Sequence, residues 1–580
     1  MALAAALVLA AVIVVVLLSH GGSSDRPERQ AATTLAGELS ANRYAPARPA
    51  LQEMAPASGT VTVTRLTHSG SHARATLRWK WALPLGRTWS YTTYATLALR
   101  QGHWQPVFSP PLVYPALQTG EALRLTVTHA PQAPILAGDG RPIVVPRPVV
   151  NVGVEPKRVH NLPQLAQTLH QVLGIDAASL VRAVKAAPPT AFVPVITLRQ
   201  ADYERVRPAI HPLPGTVFTT GTLPLAPTRP FARSLLSSLE QAFARSLGGT
   251  AGLTIDTVDA DGNPAATLYR LSPRAGSALR TTLELPAQND ADAALTGVTQ
   301  PSALVAIRIS TGAVIASAIG PDPGGYNIAF QGTFPPGSTF KIVTALALLE
   351  QGEQPSSTID CPADITVDGR QFHNAEHEVL GPITFAHAFA ASCNTAFAGL
   401  APRVPGQALP RAAATLGLGR SLSIGVPAFG GAVPPPTDAV DLASEAFGQG
   451  RILVSPLAMA AAAAAVARGR SLAPEVIGGR SASGPAPLPA GPVTTLRTLM
   501  REVVTGGTAT VLASQPGLPV YGKTGTAEIG AGTSPKTDAW FVGYQGDVAF
   551  AALVANTANG FGGAVAAPIV GRFLAKLQPR

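Results

Sequence analysis

The chain has 580 residues, 46% of them hydrophobic but only 6% aromatic, so it is Ala-rich rather than multi-pass, and it is too long for one core. Charged residues make up 13%, well below the average for soluble proteins, and the net charge of +10 is dispersed without a basic block, which argues against nucleic-acid binding. The 54 Pro and 56 Gly are spread along the chain, and no repeat or heptad pattern accompanies them, which excludes collagen-like, solenoid and coiled-coil architectures.

Met1–Ser19 carries no charge and is just long enough to span a bilayer core of about 30 Å. No A-x-A-like cleavage site follows it at Leu17-Leu18-Ser19-His20, so residues 1–20 are expected to be an uncleaved transmembrane anchor. Arg26 and Arg29 follow the segment and no Lys or Arg precedes it, the reverse of the positive-inside bias. A helix is predicted over Gln30–Ala41. Strands are predicted around Val61 and Val63, over His72–Trp81, and over Tyr91–Arg100. In the second of these, Ala73, Ala75, Leu77, Trp79 and Trp81 alternate strictly with polar residues, which requires one buried face. Trp79, Trp81, Trp89 and Trp104 are expected in a core rather than around a pocket. This makes a first α+β unit over 21–116.

A second region, 117–288, mixes β-like runs (Leu123–Thr128, Ile143–Val154) with helix-like runs (Leu162–Ala186, Pro230–Ser246). Asp139-Gly140 and Asp261-Gly262 are hairpin signals. Neither region presents evident chemistry. Further on, Leu457–Ala467 is expected to be a tightly packed buried helix and Ser481–Pro492 a surface loop.

The chemistry-bearing residues lie in 289–580. Pro335-Pro336-Gly337-Ser338-Thr339-Phe340-Lys341 opens an apolar helix, which places Ser338 at a helix N-terminus, where free N–H groups and the dipole favour a developing oxyanion. Lys341 lies one turn on, within reach of the Ser338 proton. Alone, S-x-x-K is so short that an N-cap serine and a solvated lysine would be the better reading. It is followed in order by Ser392-Cys393-Asn394, in the helix-like run Ile383–Leu400, and by Lys523-Thr524-Gly525-Thr526. That ordered trio is the signature of penicillin-binding proteins and serine β-lactamases.

The resemblance to penicillin-binding proteins extends to Tyr326-Asn327, Phe447-Gly448-Gln449-Gly450, Ser455-Pro456-Leu457, Met459-Ala460 and Asp538-Ala539-Trp540-Phe541-Val542-Gly543, and covers about 299–576. Thr281-Thr282-Leu283 with Gln288 looks like the strand leading into such domains. Ile135-Leu136-Ala137-Gly138-Asp139-Gly140 is similar to the start of the pedestal, or dimerisation, domain of class B enzymes, with Ala133-Pro134 where Arg-Gly is usual. The first unit, with Trp89, Trp104 and Tyr114-Pro115-Ala116-Leu117, resembles the NTF2-like domain of MecA-type proteins.

The resemblance therefore implies an α+β multidomain protein: anchor (1–20), NTF2-like domain (21–116), pedestal (117–288), and a penicillin-binding/β-lactamase-like transpeptidase domain (289–580) with an antiparallel sheet and helices. It implies a serine D,D-transpeptidase of peptidoglycan in which Ser338 is the nucleophile, Lys341 the base, Ser392 a proton relay, and Asn394 the holder of Lys341 and the substrate amide. Lys523 would reach toward Ser392, Thr524, Gly525 and Thr526 would bind the substrate carboxylate, and the N–H groups of Ser338 and Thr526 would form the oxyanion hole. β-Lactams are the implied inhibitors, and no cofactor or metal is implied. The implied location is the plasma membrane, single-pass, with the catalytic domain outside and a SEDS-type glycosyltransferase as partner. A D,D-carboxypeptidase and a non-catalytic β-lactam sensor or scaffold are the alternatives.

Two other motifs overlap the site. Gly517–Thr524 fits the P-loop pattern, which demands a helix starting at the lysine, and His373–His377 fits H-x-x-E-H, which demands a helix under both imidazoles. Neighbouring glycines and prolines argue against both. Cys361 and Cys393 form either a disulfide or two buried thiols.

Overall fold

The computed structural model describes residues 26–321, 326–404, 406–478, 486–530 and 536–577. The expected anchor lies outside these residues; among the described ones, no helix is long and apolar enough to cross a membrane. The chain divides into two compact units, one running up to Pro131 and including Gly249–Ala275, the other comprising Gln132–Gly248 and Gly276–Arg580.

In the first unit the period-two segment forms the strand His72–Leu83, with Ala73, Ala75, Leu77, Trp79 and Trp81 buried. It lies between Ser58–Ser69 and Arg87–Arg100, and His103–Val107 completes an antiparallel sheet of four. Helix Pro27–Ser40 sends Leu35 and Leu39 into the same core. The tryptophans are structural: Trp79 is fully buried and its Nε1 donates to Thr93 Oγ1 at 2.9 Å, the partner a buried indole requires. A second sheet of three joins Ala122–Thr128 to the hairpin Gly252–Val258 and Pro264–Leu271. Leu123, Leu253 and Ile255 enter the Trp79 core, so the expected boundary at 116/117 does not follow the packing. Strands assigned by sequence to the second region complete the first unit, because a pairing this distant in the chain leaves no local signal.

The second unit contains two cores. Pro142–Val154 pairs with Val193–Arg199 and Thr216–Leu225, and helices Leu162–Leu173 and Ala177–Ala186 pack on that sheet through Leu165, Leu169, Leu180 and Val184. The single helix-like run expected over 162–186 is thus two helices, separated where Gly174 takes φ +69° as a left-handed cap. The larger core surrounds a five-stranded antiparallel sheet with the order Val314–Ile319, Ser302–Arg308, Val548–Ala558, Lys536–Gln545, Val520–Ile529. Its inner strands are buried on both faces, so they read as apolar runs without alternation. Helices Pro456–Arg468 and Gly562–Lys576 pack against them, and Leu285–Ala294 packs against the edge strand Val314–Ile319.

The expected boundary at 288/289 falls inside helix Leu285–Ala294. Gln288 is fully buried there and exchanges two hydrogen bonds with the Ser317 backbone, which ties the helix to the sheet. Pro456–Arg468 is buried from Pro456 to Val466, as its alanines suggest; Ser455 caps it and Gly469 ends it at φ +72°. The loop expected over Ser481–Pro492 begins outside the described residues, and helix Ala490–Thr505 already starts within it, Pro492 sitting in a first turn that needs no N–H from it.

Candidate active site

Gly337–Phe340 folds as a 3-10 turn that runs directly into helix Lys341–Glu350. In 3-10 geometry residues i and i+3 eclipse, so Lys341 stands over Ser338, with Nζ 3.1 Å from Oγ. The turn needs Gly337: its φ is +51°, and a Cβ there would sit 2.8 Å from the Thr526 carbonyl. On the facing strand, a Cβ at Gly525 would lie 2.7 Å from Pro336 O. Gly448 seals the other side, where a Cβ would fall 1.9 Å from Gly337 O. Three glycines from three motifs thus let the Ser338 turn and the edge strand Val520–Ile529 approach backbone to backbone.

The second motif interrupts the helix expected over 383–400. Phe385–Ala390 ends, Ser392 adopts φ +67°, and Asn394–Leu400 begins a new helix. A left-handed serine is a strained backbone position. Here it presents the Ser392 carbonyl to Lys341, whose Nζ donates to it at 2.6 Å, to Asn394 Oδ1 at 2.8 Å and, weakly, to Ser392 Oγ at 3.4 Å. Ser338 Oγ lies 3.5 Å from Asn394 Oδ1. Ser338, Lys341, Ser392 and Asn394 therefore form one cluster. Cys393, between the two motif residues, is joined to Cys361 by a disulfide, which resolves the alternatives left by the sequence.

Lys341 and Lys523 are both fully buried. Burial, and secondarily the neighbouring Lys523 charge, holds the Lys341 amine well below its ordinary range, while burial brings Lys523 down to about 7. Each Nζ also lies over an aromatic face, that of Lys341 over Phe397 and that of Lys523 over Phe389. Among the described residues the Lys523 hydrogen bond goes to Thr524 O at 3.2 Å, so the expected reach to Ser392 is not made in this structure. Thr524 Oγ1 shares a hydrogen bond with Thr508 Oγ1 at 2.5 Å, and Thr526 Oγ1 accepts from Gly562 N at 3.2 Å. Thr508 and Phe389 carry no motif that would have singled them out, whereas Phe397 closes the run Ser392-Cys393-Asn394-Thr395-Ala396-Phe397 around the second motif.

The competing motifs lose their structural premise. Val520–Ile529 runs as a continuous strand through Lys523, so no helix begins there to cradle phosphate. His373 ends the strand Arg370–His373 and His377 lies in a three-residue turn, not on a helix.

Residues 302–575 match the family described as the penicillin binding protein transpeptidase domain. This region is a transpeptidase domain of the penicillin-binding-protein family. Peptidoglycan D,D-transpeptidase PbpA of Mycobacterium tuberculosis is 33% identical over 276 residues, which cover 42% of this chain and 55% of that protein. PbpA of Mycolicibacterium smegmatis is 31% identical over 273 residues, with the same coverage. Peptidoglycan D,D-transpeptidase FtsI of Escherichia coli is 22% identical over 524 residues, covering 81% of this chain and 87% of that protein. The chain thus spans about half the length of the mycobacterial relatives it matches. The matched region contains all three sequence motifs and the five-stranded sheet between its limits.

Proposed function

We propose that the protein is a membrane-anchored class B peptidoglycan D,D-transpeptidase that forms an acyl-enzyme on Ser338. The observation carrying this reading is a serine at 3.1 Å from a buried lysine whose pKa is held well below its ordinary range by burial and by the neighbouring Lys523. Ser338 Oγ attacks the penultimate D-Ala carbonyl of a D-Ala-D-Ala stem peptide and Lys341 takes its proton. The N–H groups of Ser338 and Thr526 meet the oxyanion, a role favoured by the close approach of the Gly337 turn to Thr526. Collapse expels the terminal D-Ala, whose amine receives the proton through Ser392 Oγ. An amine from a neighbouring strand then attacks the Ser338 ester, returns a proton to Ser338 Oγ by the same route, and leaves an amide cross-link. Lys523, Thr524, Gly525 and Thr526 bind the terminal carboxylate, and Asn394 holds Lys341 and the substrate amide.

The apolar run Met1–Ser19 supports tethering at the plasma membrane with the catalytic domain outside, where a SEDS-type glycosyltransferase would supply glycan strands. The resemblances of 21–116 to an NTF2-like domain and of 117–288 to a pedestal remain part of this proposal. β-Lactams mimic the stem peptide, so a fluorescent penicillin labels the wild-type protein for many minutes and Ser338→Ala abolishes the label. Labelling of Ser338→Ala, or rapid penicillin turnover by the wild type, contradicts the reading.

A further inference from the structure

The segment His373-Asn374-Ala375-Glu376-His377 turns a single side chain inward. Its other four residues are exposed, but Asn374 is only 3% exposed. Asn374 Oδ1 accepts from Asn394 N at 2.8 Å and Thr395 N at 3.0 Å, and Nδ2 donates to Pro362 O and Glu378 O, both at 2.8 Å. The two amides open helix Asn394–Leu400 and have no partner within it. The N-cap residue is Cys393, whose disulfide sulfur, a weak acceptor, takes the N–H of Ala396 at 3.3 Å and leaves those of Asn394 and Thr395 to another partner. Asn374 supplies the acceptor for these two amides from a distant loop.

We infer that Asn374 is a positioning residue for the second catalytic motif, acting through Asn394. The same loop holds Asn394 at a second point, because its Nδ2 donates to His373 O at 3.3 Å. With Nδ2 committed to that carbonyl, Oδ1 is turned toward Lys341 Nζ at 2.8 Å. Asn374 thus fixes the backbone from which Asn394 reaches the lysine. A residue that only stabilised its own turn would need the bonds to Pro362 and Glu378 and not those to residues 394 and 395. The inference rests on the proposed acylation of Ser338.

The test is stopped-flow acylation by a fluorescent penicillin, per labelled site, in the full chain and in Asn374→Ala, Asn394→Ala and the double variant. Asn374→Ala is expected to slow acylation about 10- to 100-fold, as displacement of a reacting group by about 1 Å does. In the Asn394→Ala background the same change should cost less than about threefold, since residues acting as one unit are not additive. An equal loss in both backgrounds, or a near wild-type rate for Asn374→Ala, overturns the inference. If Asn374→Ala does not fold, Asn374→Asp replaces it: keeping an acceptor oxygen, it should acylate faster than Asn374→Leu, and equal rates overturn the inference. Failure of the wild type to label while Asn374→Ala selectively exposes the 394–395 amides to hydrogen exchange would sink the proposed function but leave the cap standing; unchanged protection of those amides would sink the cap alone.

Discussion

Two buried lysines share a charge and a neighbourhood but serve opposite ends. Lys341 must be neutral to accept the Ser338 proton, and Arg stays protonated at any working pH, so Lys341→Arg should acylate no faster than Ser338→Ala. Lys523 is required as a cation; Lys523→Arg should keep a measurable rate, while Lys523→Ala loses about 2 to 4 kcal/mol of electrostatic stabilisation, roughly 30- to 1000-fold. The pH dependence follows with its sign. Acylation rises with pH as Lys341 loses its proton through its depressed pKa, and falls as Lys523, held down to about 7 by burial, loses its own. The second-order rate constant should therefore be bell-shaped with an alkaline limb near 7. At saturating penicillin the bound carboxylate stabilises the Lys523 cation and should move that limb upward, and Lys523→Arg should remove it. An alkaline limb unchanged in Lys523→Arg would show that another group sets it. The residues that cluster around Ser338 were legible because each lies in a short motif whose order carries information. Asn374 and Thr508 were not, since single polar residues that serve a motif from a distant loop have no spacing rule.

Among the elements, the one on which the site most depends is the turn ahead of helix Lys341–Glu350. It is compressed between the edge strand and Gly448, which holds φ +85°. Gly448→Ala adds a methyl group 1.9 Å from Gly337 O and forces a left-handed conformation on an L-residue, so backbone must move. It should lower the melting temperature and slow acylation about 100-fold, because it displaces the nucleophile turn itself. Ala463→Leu, on the buried helix, tests a different cost: overpacking of about 1 to 3 kcal/mol that lowers the melting temperature and leaves the acylation rate of folded protein close to wild type. Equal acylation losses in the two would mean that Gly448 acts through global stability. Most elements were legible from periodicity, as the His72–Leu83 strand shows. The break at Ser392 was not, because local sequence over 383–400 favours a helix, and the tertiary contacts of Lys341, the disulfide and Asn374 override it.

For the whole molecule, the division into units differs from linear order: the strands Gly252–Val258 and Pro264–Leu271 belong with the chain before Pro131. A fragment starting at Gln132 would therefore keep these strands without Ala122–Thr128, exposing Leu253 and Ile255 from the core they normally share with Trp79. Such a fragment should aggregate, and replacing Gly249–Ala275 with a short Gly/Ser linker should restore solubility and penicillin labelling. Comparable solubility of both fragments would contradict this division. Composition and motif order made the number of regions and the catalytic third legible, whereas boundaries that depend on long-range strand pairing were not.

The central claim is that Ser338 passes its acyl group to an amine rather than merely holding a β-lactam or handing the acyl group to water. It is tested most directly by incubating the purified protein with a lipid-linked pentapeptide glycan polymer, digesting the product, and separating the muropeptides by mass. Cross-linked dimers that form with the wild type and are absent with Ser338→Ala are the predicted result. Free tetrapeptide without dimers would make the protein a D,D-carboxypeptidase, and unchanged pentapeptide beside a penicillin-labelled Ser338 would make it a sensor; either would contradict the account.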